Sequence, residues 1–327
     1  MLLALLSAFF FGAATPIEKI LLSSIPPFKL AGLLYLGAAL GMFPFALREK
    51  KIGEIHRIGK KNLLRLIGAI GFGGIAGPVL LLLGLQKASA SSVSLWLNLE
   101  LVATALLGVL FFKDHLGRYG WIGVIGTVAA SLILTWHEGN IGLLALVLIG
   151  AACIAWGLDN HLTALIDGIT PTQSTFWKGL VGRTTNFAFG LLFEPNSIQG
   201  NSLFLALVVG VFAYGISITL YITAAQNIGA TRSQMIFGSA PFWGVILSFV
   251  FLGEQISHFQ IVAIVLLIAS LITLFLEQHS HPHTHEAITH KHLHHHDEHH
   301  NHPHVENPSS YHSHWHTHEK ITHSHPH

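Results

Sequence analysis

An acid, an amide and an imidazole stand together in Asp159-Asn160-His161, at the end of an apolar run that begins at Ile141. The run is long enough for a membrane-spanning helix. A carboxylate inside a hydrocarbon layer costs roughly 3 kcal/mol on insertion scales, so it normally faces a bundle interior or a watery cavity. Two readings are open: the helix ends here and the groups sit at an interface, or they face a polar interior. Asp159 and His161 are two residues apart, about 200° round a helix, so a regular helix aims them at different neighbours. Asp159 shares its face with Trp156 and Thr163, whereas His161 shares one with Gly157 and Leu158 and reads as an interface residue.

Glu100 is the strongest single candidate for chemistry within an apolar segment. Trp96, Glu100 and Thr104 are spaced four apart, which puts an aromatic ring, a carboxylate and a hydroxyl on one helical stripe. The expected partner of Glu100 is Arg183, with Lys178 nearby on the same segment. A structural ion pair and a substrate or proton site are both open for it, and they are compatible, because a pair can break when substrate arrives. Glu18 reads either as a gating or proton-linked acid or as half of an exposed pair with Lys19. The candidate pathway residues are therefore Trp96, Glu100, Thr104, Trp156, Asp159, Lys178 and Arg183. No metal-ligand or nucleophile–base spacing occurs within the apolar segments, so no enzymatic activity is expected.

A second kind of chemistry is written at the C-terminus. Twenty of the chain's 25 histidines lie between His279 and His327, many at alternate positions. Imidazole suits zinc, copper and nickel, and dense histidine tracts bind metal without a packed core. The candidate ligands are His281, His283, His285, His294, His295, His296, His314, His316 and His318. Zinc, nickel or cobalt is the expected ion, with no cofactor required elsewhere. The tail has too few apolar residues to offset its ordering entropy, so it is expected to be disordered when metal-free.

The elements that must position these groups follow from composition. The chain has 327 residues, 51% apolar and only 10% charged, against about 25% charged in an ordinary soluble domain. A spanning helix needs about 20 mostly apolar residues. Ten segments qualify: 2–22, 27–47, 63–84, 90–112, 118–136, 141–163, 172–193, 203–226, 231–252 and 258–276. The N-terminal run has no basic start and continues past Pro16, Glu18 and Lys19, so it reads as a span and not as a cleaved signal. A net charge of +1 indicates no nucleic-acid partner, and the lone cysteine, Cys153, excludes an intrachain disulfide.

Lys and Arg collect in alternate connections, at Arg48, Lys50, Lys51, Arg57, Lys60 and Lys61, at Lys113 and Arg118, and at Arg232. Lys29 and Lys87 lie on the other side. By the positive-inside rule both termini, and hence the tail, are cytoplasmic.

A shift of 140 residues lays Gln86 on Gln226, Ala90 on Ala230, Phe111 on Phe251 and Asp114 on Glu254. Near the start of each half, Phe11-Gly12 matches Trp156-Gly157. Each half then holds five spans, and an odd number inverts the second copy in the membrane. Inverted repeats place a substrate site near the midplane at their interface.

The segment Ala225–Ile256, with its small-residue turn Ile228-Gly229-Ala230, its mid-span Pro241 and its ending Leu252-Gly253-Glu254, resembles the drug/metabolite transporter superfamily, specifically its EamA-type members. The first half departs from that pattern, with Leu101 at the proline position and Lys113-Asp114 in place of Gly-Glu. The resemblance covers about residues 1–276 and does not include the tail. It implies an all-α integral membrane protein of ten transmembrane helices in two inverted five-helix repeats, 1–138 and 139–276, followed by the histidine-rich tail, 277–327. The expected function is secondary transport, in the export direction, of a small solute. A divalent metal such as nickel, cobalt or zinc is one candidate, and a small organic metabolite with the tail as regulator is the other. A membrane-anchored metal buffer or sensor is the reading from another class. The expected partners are the lipid bilayer of the inner membrane and the substrate; a homodimer is left open.

Overall fold

The computed structural model describes residues 1–49, 58–112, 116–194 and 200–276, together with the backbone of 280–285, 288–294, 312–318 and 321–326. Lys50, Lys51, Arg57, Lys113, Asp114, His295 and His296 lie outside the described residues. The chain divides into two units, Met1–Glu277 and Gln278–His327.

The first unit is helical throughout its described elements. Its helices are α1 (Leu2–Leu21), α2 (Pro27–Arg48), α3 (Gly59–Leu85), α4 (Ala90–Phe111), α5 (Arg118–Trp136), α6 (Ile141–Ala164), α8 (Asn201–Ile228), α9 (Arg232–Leu252) and α10 (His258–Phe275), with α7 (Pro171–Phe193) between α6 and α8. Among the described residues, the nine helices other than α7 are long and apolar enough to cross a membrane. At 23 residues α7 is equally long, but one face carries Gln173, Ser174, Thr175, Lys178 and Asn186. All five are buried, while Leu191, Leu192 and Phe193 point outward. Large apolar side chains such as Ile125, Trp136 and Phe204 are exposed around the bundle, as surface in contact with lipid requires. The protein is an all-α multi-pass membrane protein.

The 140-residue offset reappears, to within one residue, in the backbone irregularities. In α4 the helix breaks between Trp96 and Leu99, and in α9 between Phe237 and Ala240. A widened π-helical turn occupies Ile70–Ala76 in α3 and Gly210–Ile216 in α8. The same two irregularities thus recur in the same order in α1–α5 and in α6–α10. The chain reverses between them at Gly139, whose φ of +70° is open to glycine.

Carboxylates tie the repeats to each other. Glu194, just after α7, accepts from the backbone N–H groups of Phe28 and Lys29 at 3.0 Å each, at the start of α2. Glu49, just after α2, accepts from the hydroxyl of Thr170 at the N-cap of α7. Glu254, just after α9, accepts from the N–H groups of Ala90 and Ser91 at 2.8 and 2.9 Å, at the start of α4. The first N–H groups of a helix have no intrahelical partner, and the helix dipole favours a negative charge there. Each such contact joins the end of one helix to the start of its counterpart. Counterparts therefore run antiparallel, which is the inversion that an odd-membered repeat demands. Elsewhere α10 packs along α5, where Ser270 and Leu274 fill the space beside Gly126 and Gly123.

In the second unit the backbone forms two antiparallel two-stranded ladders. The strand β1 (Ser280–His285) pairs with β4 (Ile321–Pro326), and β2 (Ile288–His294) with β3 (His312–His318). The register sets His283 opposite His323 and His292 opposite His314. Two-stranded ladders of this size are marginally stable in water on their own. Of the candidate ligands, His281, His283 and His285 lie on β1, His294 on β2, and His314, His316 and His318 on β3.

Candidate functional site

The π-helical turn of α3 prepares one wall of the site. A widened turn leaves main-chain carbonyls free for other partners. The Gly73 carbonyl accepts from the Tyr35 hydroxyl of α2 at 2.5 Å and from the Trp156 indole N–H of α6 at 3.3 Å. The Gly74 carbonyl accepts from Asn186 of α7 at 3.0 Å. Asp159 lies directly against Gly73, where any Cβ would strike its carboxylate.

Asp159 points into the bundle. Helix α6 continues past it to Ala164, and its side chain is largely buried, so the interior reading holds over the interface one. Lys178 Nζ donates to both carboxylate oxygens at 2.6 and 2.7 Å, and Thr163 Oγ1 donates to Oδ1 at 2.7 Å. A buried pair of this kind offsets the desolvation of both charges only when geometry and extra hydrogen bonds are good, as they are here.

The break in α4 places Glu100. Beyond Leu97 and Asn98 the helix restarts, and three-residue backbone hydrogen bonds carry the turn. Glu100 Oε1 accepts from Asn160 Nδ2 at 2.9 Å, and the same amide nitrogen lies 3.2 Å from Thr104 Oγ1 and 3.3 Å from Gln234 Oε1. Two amide hydrogens serve three acceptors, so this cluster can exchange one partner for a ligand.

Three expectations are corrected. The stripe of Trp96, Glu100 and Thr104 does not exist, because the helix break turns Trp96 away. Trp96 is fully buried and donates to the Ser131 carbonyl of α5 at 3.1 Å. Glu100 does not pair with Arg183, which is exposed on α7. Five residues separate Lys178 from Arg183, about 140° round a helix, so only Lys178 faces the interior. His161 is not an interface residue. It is buried, with Nε2 2.8 Å from the Thr104 carbonyl and its ring stacked on Phe112 at 4.3 Å.

Aromatic rings complete the site. Phe11 lies 5.7 Å from Trp156, 6.1 Å from Tyr214 and 5.3 Å from Phe237. Tyr35 meets Tyr214 at 5.3 Å, and Tyr221 meets Phe237 at 5.2 Å. Between these rings and Glu100, Asp159, Asn160, Thr163 and Lys178 is a cavity with about 500 Å³ of space between atoms, counting its open side. It collects side chains from α1, α2, α4, α6, α7, α8 and α9, and so from both repeats. Sequence reasoning picked Glu100, Trp156, Asp159 and Lys178, noted Asn160 without giving it a role, and missed Tyr35, Tyr214, Tyr221 and Gln234. The signal for Asn160 and Gln234 was present, as amides inside apolar spans. The tyrosines carried none, because tyrosine is common in membrane helices. Among the described residues no group of three or more His, Cys, Asp or Glu could hold a metal ion.

The model of the EamA-like transporter family matches residues 1–136 and 143–276. An uncharacterized transporter of Methanothermobacter thermautotrophicus is 27% identical over 288 residues, covering 81% of this chain and 83% of that protein. The uncharacterized inner membrane transporter YicL of Salmonella typhimurium is 23% identical over 256 residues, covering 75% and 83%. A solved crystal structure superposes with a TM-score of 0.63 at 16% identity, covering 84% of this chain and 96% of the other. That likeness bears on the fold alone.

Proposed function

Because the chain belongs to the EamA-like transporter family, and is thus a small-solute transporter and not an enzyme, we propose that it carries a small organic solute with charged groups through the aromatic-walled cavity. The Asp159–Lys178 pair carries this reading. It offers one anionic and one cationic partner at a single buried point. A solute bearing both an ammonium and a carboxylate can give the one to Asp159 and the other to Lys178 and leave neither charge unpaired. Glu100 and Asn160 supply further polar partners, and the rings give an apolar body something to stack on. The cavity draws on both inverted repeats, so rocking one against the other exposes it to each side in turn.

The basic loops favour an orientation with both termini on the cytoplasmic side of the inner membrane. A capture tail on that side suits export.

A divalent metal substrate is the second reading, favoured by the histidines of the tail. The test is a thermal-shift screen of purified full-length protein against amino acids, amines, carboxylates and the ions Zn²⁺, Ni²⁺ and Co²⁺. The same screen is run on Lys178→Met and on protein truncated after Leu276. The organic reading expects a charged organic solute to raise the melting midpoint of wild type and truncated protein alike, but not of Lys178→Met. Stabilisation of the truncated protein by a metal ion and by no organic solute would overturn it.

A further inference from the structure

Glu18 is a buried acid that the cavity contacts above leave unused. It lies on α1 and is 0% exposed. Its Oε1 accepts from the Tyr214 hydroxyl at 2.7 Å. Its Oε2 is buried with no hydrogen-bond partner among the described residues. The groups facing it can be named helix by helix. Tyr214 comes from the π-helical turn of α8, and behind it stands Tyr35 of α2, the two rings 5.3 Å apart. On its own helix, Lys19 Nζ donates to the carbonyls of Leu85 and Ala88 at 2.7 and 2.8 Å, at the end of α3 and the start of α4. The charged side chains of α3 are Lys60, Lys61 and Arg65, all in its first two turns, and that of α9 is the exposed Arg232. Lys29 and Arg48 lie at the two ends of α2, and Glu100 of α4 and the Asp159–Lys178 pair of α6 and α7 line the cavity together with Tyr35 and Tyr214.

An ionised carboxylate removed from water needs both oxygens satisfied, by hydrogen bonds or by a cation. Among the described residues Glu18 has one hydrogen bond, from a neutral donor, so the neutral acid is the form that this environment accepts. Its single polar contact is with a tyrosine on the cavity wall. We propose that Glu18 is the proton-carrying group that couples transport to a proton gradient. It holds a proton in the arrangement seen here, in which both of its oxygens are buried. When a rearrangement of the helices brings water to Glu18, the carboxyl O–H bond breaks, the proton passes to water, and the Tyr214 hydroxyl stabilises the carboxylate that remains. No electron moves and no other reactant is needed. Reprotonation from the opposite side resets the carrier.

This inference rests on the transport reading, and the test separates the two. Full-length wild type, Glu18→Gln and Tyr214→Phe are reconstituted in lipid vesicles. Glutamine keeps the shape of Glu18 and can still accept from Tyr214. Infrared difference spectra of wild type against Glu18→Gln are expected to show a carboxylic-acid C=O band at neutral pH, shifted in Tyr214→Phe. Absence of that band at every pH overturns the proposal whatever transport does. Labelled amino acids, amines and carboxylates are then offered one at a time under an imposed pH gradient. Wild type is expected to accumulate at least one of them about tenfold per pH unit, as one coupled proton allows. Glu18→Gln is expected to exchange labelled for unlabelled solute but to reach only equilibrium. Accumulation by Glu18→Gln at the wild-type level overturns the coupling role. If wild type moves none of these solutes, the organic transport reading fails, and the infrared band alone decides the protonation of Glu18.

Discussion

Lys178 is the residue whose removal should be felt most in stability. Lys178→Met leaves the Asp159 carboxylate buried with Thr163 as its remaining donor. Breaking a buried pair from one side costs roughly 3–5 kcal/mol. The melting midpoint in detergent should fall sharply, and adding Asp159→Asn should recover most of the loss, because no charge is then left unpaired. A double variant no more stable than the single one would contradict the pairing. Glu100 calls for a different expectation. Its hydrogen-bond donor is neutral, so Glu100→Gln keeps an acceptor for Asn160 and should leave the midpoint nearly unchanged while abolishing solute exchange in vesicles. Arg183→Gln, on an exposed face, should change stability by no more than about 0.5 kcal/mol and should not modify the effect of Glu100→Gln. Retained exchange in Glu100→Gln would remove Glu100 from the site.

At the level of elements, the carboxylate caps and the helix breaks are what hold the site in shape. Glu254 satisfies two N–H groups at the start of α4, the helix that carries Glu100 beyond its break. Glu254→Ala should cost about 1–2 kcal/mol, the range for losing a helix cap. Hydrogen exchange should speed up at Ala90 and Ser91 and stay unchanged at Phe28 and Lys29, which are held by Glu194. Equal acceleration at both helix starts would mean global loosening and not a lost cap. The breaks in α4 and α9 and the π-helical turns in α3 and α8 share a mechanical logic. Each interrupts the regular ladder at the level of the cavity, where backbone groups and side chains must be re-aimed. A regular α4 would keep Trp96, Glu100 and Thr104 in one row and could not give Trp96 to α5 and Glu100 to α6.

For the whole molecule the question is what the tail adds to a ten-helix carrier. The tail follows α10 and is expected at its cytoplasmic end. Deleting His279–His327 should leave the maximal exchange rate intact and remove most zinc binding measured by calorimetry. Neutral imidazole is the ligand, with an ordinary pKa of about 6.5, so zinc binding by the full chain should weaken as pH falls through that value. Complete loss of exchange in a well-inserted truncation would contradict an accessory tail. Reporters fused after Leu276 and within residues 50–57 should both read as cytoplasmic. A readout from the opposite side at either place would overturn the orientation and, with it, the argument for export.

Residue types and their order determined the membrane architecture. Apolar runs of about 20 residues allow little else, because backbone groups in lipid must be satisfied within a helix. Order also carried the repeated pattern, since the 140-residue shift that aligns Gln86 with Gln226 also superposes the two π-helical turns and brings the two helix breaks to within one residue of each other. Asp159 and Lys178 were legible as inward-facing residues because ionised groups are expensive in hydrocarbon. Their pairing was not legible. One-dimensional spacing cannot say which of Lys178 and Arg183 faces the interior, since that depends on how α7 is rotated against α2 and α3. The stripe on α4 failed for a similar reason. Periodicity assumes an unbroken helix, and the break at Leu97-Asn98 is a tertiary bargain between Trp96 on Ser131 and Glu100 on Asn160. The tyrosines that wall the cavity, and the isolation of Glu18 behind one of them, became visible only when seven helices from two repeats were brought to one point.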